Sequence, residues 1–199
     1  MTNTETYEVF AVRYATRPAM RRDHFVGGDP HDDQMPMDYF VWLIRNKHRT
    51  YVVDTGFHAD MAKKRQREYV RSPKEGLALL GVDSHEVTDV ILTHLHYDHV
   101  GTFDDFPKAQ FHLQDAEMSF ATGRHMCNGH YYEHMRSNRF FTLVFKLGDM
   151  LNGYRTLNEL AASPDHVVPG HDPLVMKYYP APSPELEGIV VRLDVAPKT

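Results

Sequence analysis

The segment Thr93-His94-Leu95-His96-Tyr97-Asp98-His99 sets three imidazoles and a carboxylate within one short stretch of chain. Neutral imidazole nitrogen and carboxylate oxygen make up the mixed donor set that zinc and its neighbouring divalent metals accept. Gathered this tightly, the donors read as a metal site rather than as a solvated His-rich turn. What precedes them supports that reading. Glu86 to Thr93 is rich in β-branched residues and ends in the continuous apolar run Val90-Ile91-Leu92, which predicts a buried strand whose C-terminal end delivers the histidines. In open α/β sheets, sites form at that edge. A second strand signal, Thr50 to Asp54, breaks at Thr55-Gly56 and puts another carboxylate at a strand end. Alone, it is equally the pattern of an ordinary strand-to-turn exit.

The elements that must position these groups follow from pattern and punctuation. Tyr7 to Tyr14 alternates imperfectly and predicts a first strand, followed by a long aperiodic loop from Arg17 to Pro36 that could rim the site. Tyr39 to Ile44, Asn46-Lys47-His48-Arg49 and Tyr51 to Val53 predict a hairpin with His48 exposed in its turn. His58 to Val70 is charged and helix-permissive. Ser72-Pro73-Lys74-Glu75 offers a cap and a first-turn proline for a second helix to Leu80, stopped by Gly81. Ala109 to Leu113 predicts a short strand in which His112 is packed or supports the site, and Asp115 is the cap candidate for a helix through Ala121. Gly148-Asp149 opens another helix, with Met150, Leu151, Tyr154, Leu157 and Leu160 expected in the core. His166 to Pro173 predicts a short strand ending in a tight turn, and Ile189 to Leu193 a terminal strand.

Composition bounds the rest. The chain has 199 residues, 42 % of them hydrophobic, and reads as one soluble domain over 1–199. With 22 basic and 27 acidic residues the net charge is −5, and Lys63-Lys64-Arg65-Gln66-Arg67 reads as a solvated helix face rather than a nucleic-acid patch. A lone cysteine, Cys127, rules out an internal disulfide framework and fits a reducing compartment. The polar start lacks the apolar core of a signal peptide and no run is long enough to span a bilayer, so cytoplasmic residence is expected by default, without membrane partners.

Taken in order, Asp54-Thr55-Gly56, then His94-x-His96-x-Asp98-His99, then Pro169-Gly170-His171 resembles the metallo-beta-lactamase superfamily of metal-dependent hydrolases. Within it the chain most resembles N-acyl homoserine lactonase-like members. The narrower likeness rests on Gly27-Gly28-Asp29-Pro30-His31, Asp38 to Trp42, Phe111 to Gln114 with Glu117-Met118, and Gly148 to Leu151 through Gly153-Tyr154-Arg155. The resemblance implies an α/β fold, an αβ/βα sandwich of two mixed sheets with helices outside, and a site at one edge holding two metal ions, zinc first among them. His94 and His96 match ligands of the first metal, and Asp98, His99 and His171 match ligands of the second. Asp54 matches a buried carboxylate that supports the site. Tyr131 matches a tyrosine that hydrogen-bonds the developing oxyanion.

The chain also departs from the pattern. A third histidine for the first metal and an aspartate bridging both are missing from residues 100–170, and the discontinuity falls near Cys127-Asn128. An internal segment is therefore absent, shortening the second half by two or more strands. The first position would keep two protein ligands and the second three, the usual count for a catalytic zinc, which predicts preferential filling of the second. The activity implied is opening of a lactone ring, with metal-generated hydroxide adding to the carbonyl and Asp98 orienting the water. Thioester hydrolysis of the glyoxalase type, or metal binding with little turnover, are the alternatives. The partner expected is a small lactone or ester rather than nucleic acid, and uncovered sheet edges would favour a homo-oligomer.

Overall fold

The computed structural model describes residues 5–25, 28–123 and 151–198. Seven strands build one mixed sheet: β1 (Glu8–Arg17), β2 (Met37–Arg45), β3 (Thr50–Val53), β4 (Glu68–Tyr69), β5 (Asp89–Leu92), β6 (Gln110–Leu113) and β7 (Val190–Arg192). Their order is β4-β1-β2-β3-β5-β6, with β7 also paired to β1. The hairpin β1–β2–β3 is antiparallel, whereas β3, β5 and β6 run parallel. The predicted turn between β2 and β3 is held by the Asn46 side-chain oxygen, which accepts from the backbone N–H of His48 and Arg49, both at 2.8 Å.

Alternation along the central strands divides the buried residues between two faces of the sheet. Phe10, Val12, Tyr14, Val41, Leu43, Val52 and Val90 belong to the larger core, closed by Ala62 of α1 (Ala59–Lys64) and Leu77 of α2 (Pro73–Ala78). Ala11, Phe40 and Val191 form a smaller core with Val175 and Tyr179 at α5 (Leu174–Tyr178). β1 is buried on both sides over Phe10 to Val12, as expected of a strand with a neighbour layer on each face. Between Arg13 and Ala15 its register with β2 shifts, and the buried Tyr14 sits in that irregularity.

Several expectations need correction. The span from His58 to Val70 is not one helix: Gln66 takes a left-handed conformation (φ 56°), the Arg67 N–H returns to the Ala62 carbonyl at 2.8 Å, and the chain continues into β4. Glu86 belongs to a 3-10 turn (Ser84–Glu86) rather than to β5. His166 to Pro173 forms no strand. A 3-10 turn (Pro164–His166) precedes it, and Pro169 has no N–H to offer a ladder. His112 is exposed, with Nε2 2.9 Å from Asp89 Oδ1, so it neither packs in the core nor supports the site. The loop after β1 carries its own 3-10 turn (Arg21–Asp23), a Met20–Gln34 bridge and the pairs Arg21–Asp29 and Arg22–Asp32.

Residues 151–160 are helical as expected, but their apolar side chains are not in the core: Leu151, Tyr154, Leu157 and Leu160 are 47, 56, 50 and 80 % exposed. Met150 and Tyr131 lie outside the described residues. The described residues hold one sheet where the sandwich has two, and none of their helices is long and apolar enough to cross a membrane.

Helix α2 starts as its sequence predicts: the Ser72 hydroxyl accepts from the Glu75 N–H at 3.3 Å, and the Glu75 carboxylate accepts from the Ser72 N–H at 2.8 Å. It meets β1 at Gly76, where an added Cβ would stand 2.5 Å from Val12 Cγ1. Replacing glycine within a helix ordinarily gains about 1 kcal/mol, but overpacking a core costs about 1–3 kcal/mol. Gly76→Ala is therefore expected to lower stability, read as a reduced thermal midpoint.

Candidate metal centre

The site begins where β3 ends. Asp54 is fully buried and adopts φ 60°, a left-handed conformation that only a few non-glycine residues tolerate. Its N–H donates to the Ile91 carbonyl of β5 at 2.8 Å. The turn aims its carboxylate across the sheet edge. Oδ1 accepts from the Thr93 N–H at 2.8 Å, the Thr93 hydroxyl lies 2.9 Å from Oδ2, and Oδ2 accepts from His99 Nδ1 at 2.7 Å. One carboxylate thus joins the ends of two parallel strands to an imidazole of the helix that follows.

That helix, α3 (Tyr97–Val100), presents Asp98 and His99, both buried. It is pinned from beneath. The Tyr14 hydroxyl donates to the Asp98 carbonyl at 3.0 Å, and the Thr55 N–H donates to the His99 carbonyl at 2.7 Å. The Gly101 N–H reaches the Gly56 carbonyl at 2.7 Å, an approach so close that a Cβ on Gly101 would stand 2.7 Å from that oxygen. The backbone bearing the ligand candidates is therefore clamped to the β3 turn before any metal is considered.

His171 arrives from the far end of the chain. Its carbonyl accepts from the Asp38 N–H at 3.0 Å, and its Nδ1 donates to the Asp38 carbonyl at 3.0 Å. The Tyr39 ring meets the imidazole edge-on, with centroids 5.3 Å apart. Arg13 Nη1 in turn donates to Asp38 Oδ2 at 3.3 Å. With Nδ1 tied back in both His99 and His171, each turns Nε2 toward Asp98. This is the outer support that fixes tautomer and ring orientation in metal-ligating histidines.

The donor atoms of Asp98, His99 and His171 all lie within 4.8 Å of one another. Asp98 Oδ2 is 3.6 Å from His99 Nε2 and 3.8 Å from His171 Nε2, too far for hydrogen bonds. Two ligands about 2.0–2.1 Å from a tetrahedral zinc stand roughly 3.4 Å apart, so the two Asp98 distances need only slight contraction for the set to hold a divalent ion. His94 and His96 lie alongside, their ring centroids 4.4 Å apart and that of His94 3.9 Å from His99. Among the described residues no third His, Cys, Asp or Glu completes a group around that pair. Glu117 of α4 (Asp115–Thr122) accepts from the Leu95 N–H at 3.1 Å and so braces the loop between them.

Burial favours the neutral, ligating form of His94, His96 and His171. It lowers His94 to about 4, with neighbouring His99 and His96 adding to the effect, and burial likewise lowers His96 and His171. All five sequence-derived ligand candidates and the supporting Asp54 are therefore brought to one edge of the sheet. Three contributors carried no sequence signal of their own: Thr93, the Asp38 carbonyl and Tyr14. Thr93 sat inside the motif, but nothing in one chain says that its hydroxyl meets Asp54.

Two outcomes follow. Asp54→Asn removes the acceptor that holds the His99 Nδ1 proton and is expected to weaken zinc affinity by about 10–100-fold, measured by competition with a chelating dye. In the metal-free chain, His94 takes its proton near pH 6.5 when unfolded but near 4 when folded. Between those values the unfolded chain binds more protons, so stability falls as pH is lowered from about 6.5 to about 4, and a urea midpoint series across that window reads it.

The model of the metallo-beta-lactamase superfamily matches residues 36–179. No curated protein sequence matches the chain. Among solved structures it is similar to a quorum-quenching N-acyl homoserine lactone lactonase, at 16 % identity and TM-score 0.49, over 59 % of this chain and 49 % of that one. A similar likeness holds to hydrolase AbOPH of the beta lactamase superfamily, at 17 % identity and TM-score 0.49, over 77 % and 56 %. A third is a probable metal-dependent hydrolase from Staphylococcus aureus, at 14 % identity and TM-score 0.48, over 57 % and 49 %. The chain thus spans about half the length of these structures. The family match runs from just before β2 through the whole of α5 and takes in every ligand candidate described above, and the chain belongs to the metallo-beta-lactamase superfamily.

Proposed function

We propose that this chain is a metal-dependent hydrolase that opens the ester bond of a lactone, using one zinc ion held by Asp98, His99 and His171. The observation that carries this reading is the convergence of those three donors with both Nδ1 protons already engaged. A divalent ion in such a set supplies Lewis acidity and a source of hydroxide at neutral pH. The protein's own contribution is positional. Asp54 and the Asp38 carbonyl orient the two imidazoles, Tyr14 and Thr55 hold the α3 backbone, and Asp98 offers a carboxylate oxygen that accepts the proton of an attacking water. His94 and His96 form the incomplete first position, which binds more weakly or not at all.

Thioester hydrolysis of the glyoxalase type uses the same donors and is the second reading. What favours it is the positive charge beside the site, taken up below. Calorimetric titration with zinc should give one tight equivalent per chain, with His171→Ala losing at least a hundredfold in affinity. Two equivalents of similar affinity would overturn the single-ion assignment. Zinc-loaded protein offered a long-chain N-acyl homoserine lactone and a glutathione thioester should open the lactone, and turnover of the thioester alone would reverse the order of the two readings.

A further inference from the structure

Among the described residues, three arginines near the histidine cluster form no ion pair with a carboxylate. Arg65 follows α1, with Cζ 3.8 Å from the centroid of the Tyr97 ring and a buried Nε that has no acceptor. Arg67 donates from Nε to the Tyr97 hydroxyl at 3.4 Å and from Nη1 to the Arg65 carbonyl at 2.7 Å, and its Cζ lies 6.0 Å from the Tyr39 ring centroid. Tyr97 lies between His96 and Asp98 in the chain, and Tyr39 packs on His171. Arg17, at the end of β1, donates from Nη2 to Met37 Sδ at 3.3 Å; its Nε is also buried without an acceptor, and its charge reaches Tyr39 and His171.

The other described arginines are mixed: Arg49 and Arg155 bond a phenol and an amide, Arg71 has no ion pair among the described residues and a buried Nε without an acceptor, and five are paired with carboxylates. Arg13, Arg21, Arg22, Arg45 and Arg192 each form an ion pair with an aspartate or glutamate. Among the described residues Arg17, Arg65 and Arg67 form none. A guanidinium partly withdrawn from water with donors unused is costly, and beside a metal centre a bound anion is one way to satisfy it. A dication at Asp98, His99 and His171 would add charge of the same sign, so the missing counter-ion is an anion that comes with the substrate. Carboxylate suits the two-pronged guanidinium donor, with the Tyr97 ring fixing the orientation of Arg65.

We propose that Arg65 and Arg67, with Arg17 nearby, dock a carboxylate carried by the substrate, so that among the esters this site hydrolyses an anionic one is preferred over its neutral counterpart. The proposal rests on the hydrolase reading for the reaction but not for the binding of the anion, and the test separates the two.

Zinc-loaded protein would be assayed with mono-para-nitrophenyl glutarate and with para-nitrophenyl butyrate, which share a leaving group and differ in the free carboxylate. The wild-type chain should prefer the glutarate in kcat/KM, and Arg65→Ala with Arg67→Ala should cut the ratio of the two at least tenfold, the scale of one charge-assisted hydrogen bond. Arg65→Lys with Arg67→Lys keeps the charge and should restore part of the preference, which a folding defect would not do. Equal rates for the two esters, or a ratio unmoved by the alanine pair, would overturn the proposal. Should neither ester turn over, the hydrolase reading fails for these esters, and calorimetry with glutarate alone decides the anion site. Binding weakened tenfold or more by the alanine pair upholds it. No binding, or binding indifferent to the pair, sinks it.

Discussion

A single buried carboxylate organises this protein's site. Asp54 has no water to hydrogen-bond, so its oxygens must be satisfied by protein, and the donors that satisfy them come from β5's exit and from α3. An unpaired carboxylate at that depth would be several kcal/mol too costly to keep. The demand is therefore structural and chemical at once: the hydrogen bonds that make Asp54 tolerable are the ones that bring Thr93 to the strand edge and turn His99 toward Asp98. Left-handed backbone at Asp54 is the geometric cost of aiming the side chain there, and aspartate is among the few residues that bear it.

The rest of the described molecule is arranged around that junction. β1 and β2 supply the rigid middle of the sheet, buried on both faces, and from it Tyr14 reaches the Asp98 carbonyl while Asp38 holds His171. His171 is remote in sequence, so its place depends on the smaller core, where α5 and β7 pack residues 174–192 onto β1 and β2. Electrostatics divides the site in the same way. Burial favours neutral His94, His96 and His171, whereas Arg65 and Arg67 lie against ring faces and a phenol, and Arg17 against the Met37 thioether, rather than against carboxylates.

Much of this was legible in one chain because it is local. The strand before the histidines, the hairpin, the Ser72–Glu75 cap and the ligand spacing each depend on neighbours within a few residues, and each appears where its pattern indicates. The misreadings share a different cause. The stretch from His58 to Val70 is helix-permissive throughout, yet pairing of Glu68 and Tyr69 with β1 takes its second half, and one left-handed residue makes the switch. The apolar stripe of residues 151–160 has the period of a core-facing helix, and the period is real. Whether such a stripe meets a core depends on what the rest of the chain places opposite it, and these side chains remain exposed.

By itself, then, the sequence determined the donor types, their spacing, the strand that carries them and the family to which they belong, since all of these are written in residue identity and short-range order. Tertiary structure alone decided which donors meet. It joined His171 to Asp98 and His99 across a long stretch of chain, chose the Asp38 carbonyl and Thr93 as their supports, and brought arginines from β1 and the α1–β4 turn near the histidine cluster. The physical reason is that convergence is a property of distances through space, set by which apolar faces bury one another, and no spacing along the chain encodes it.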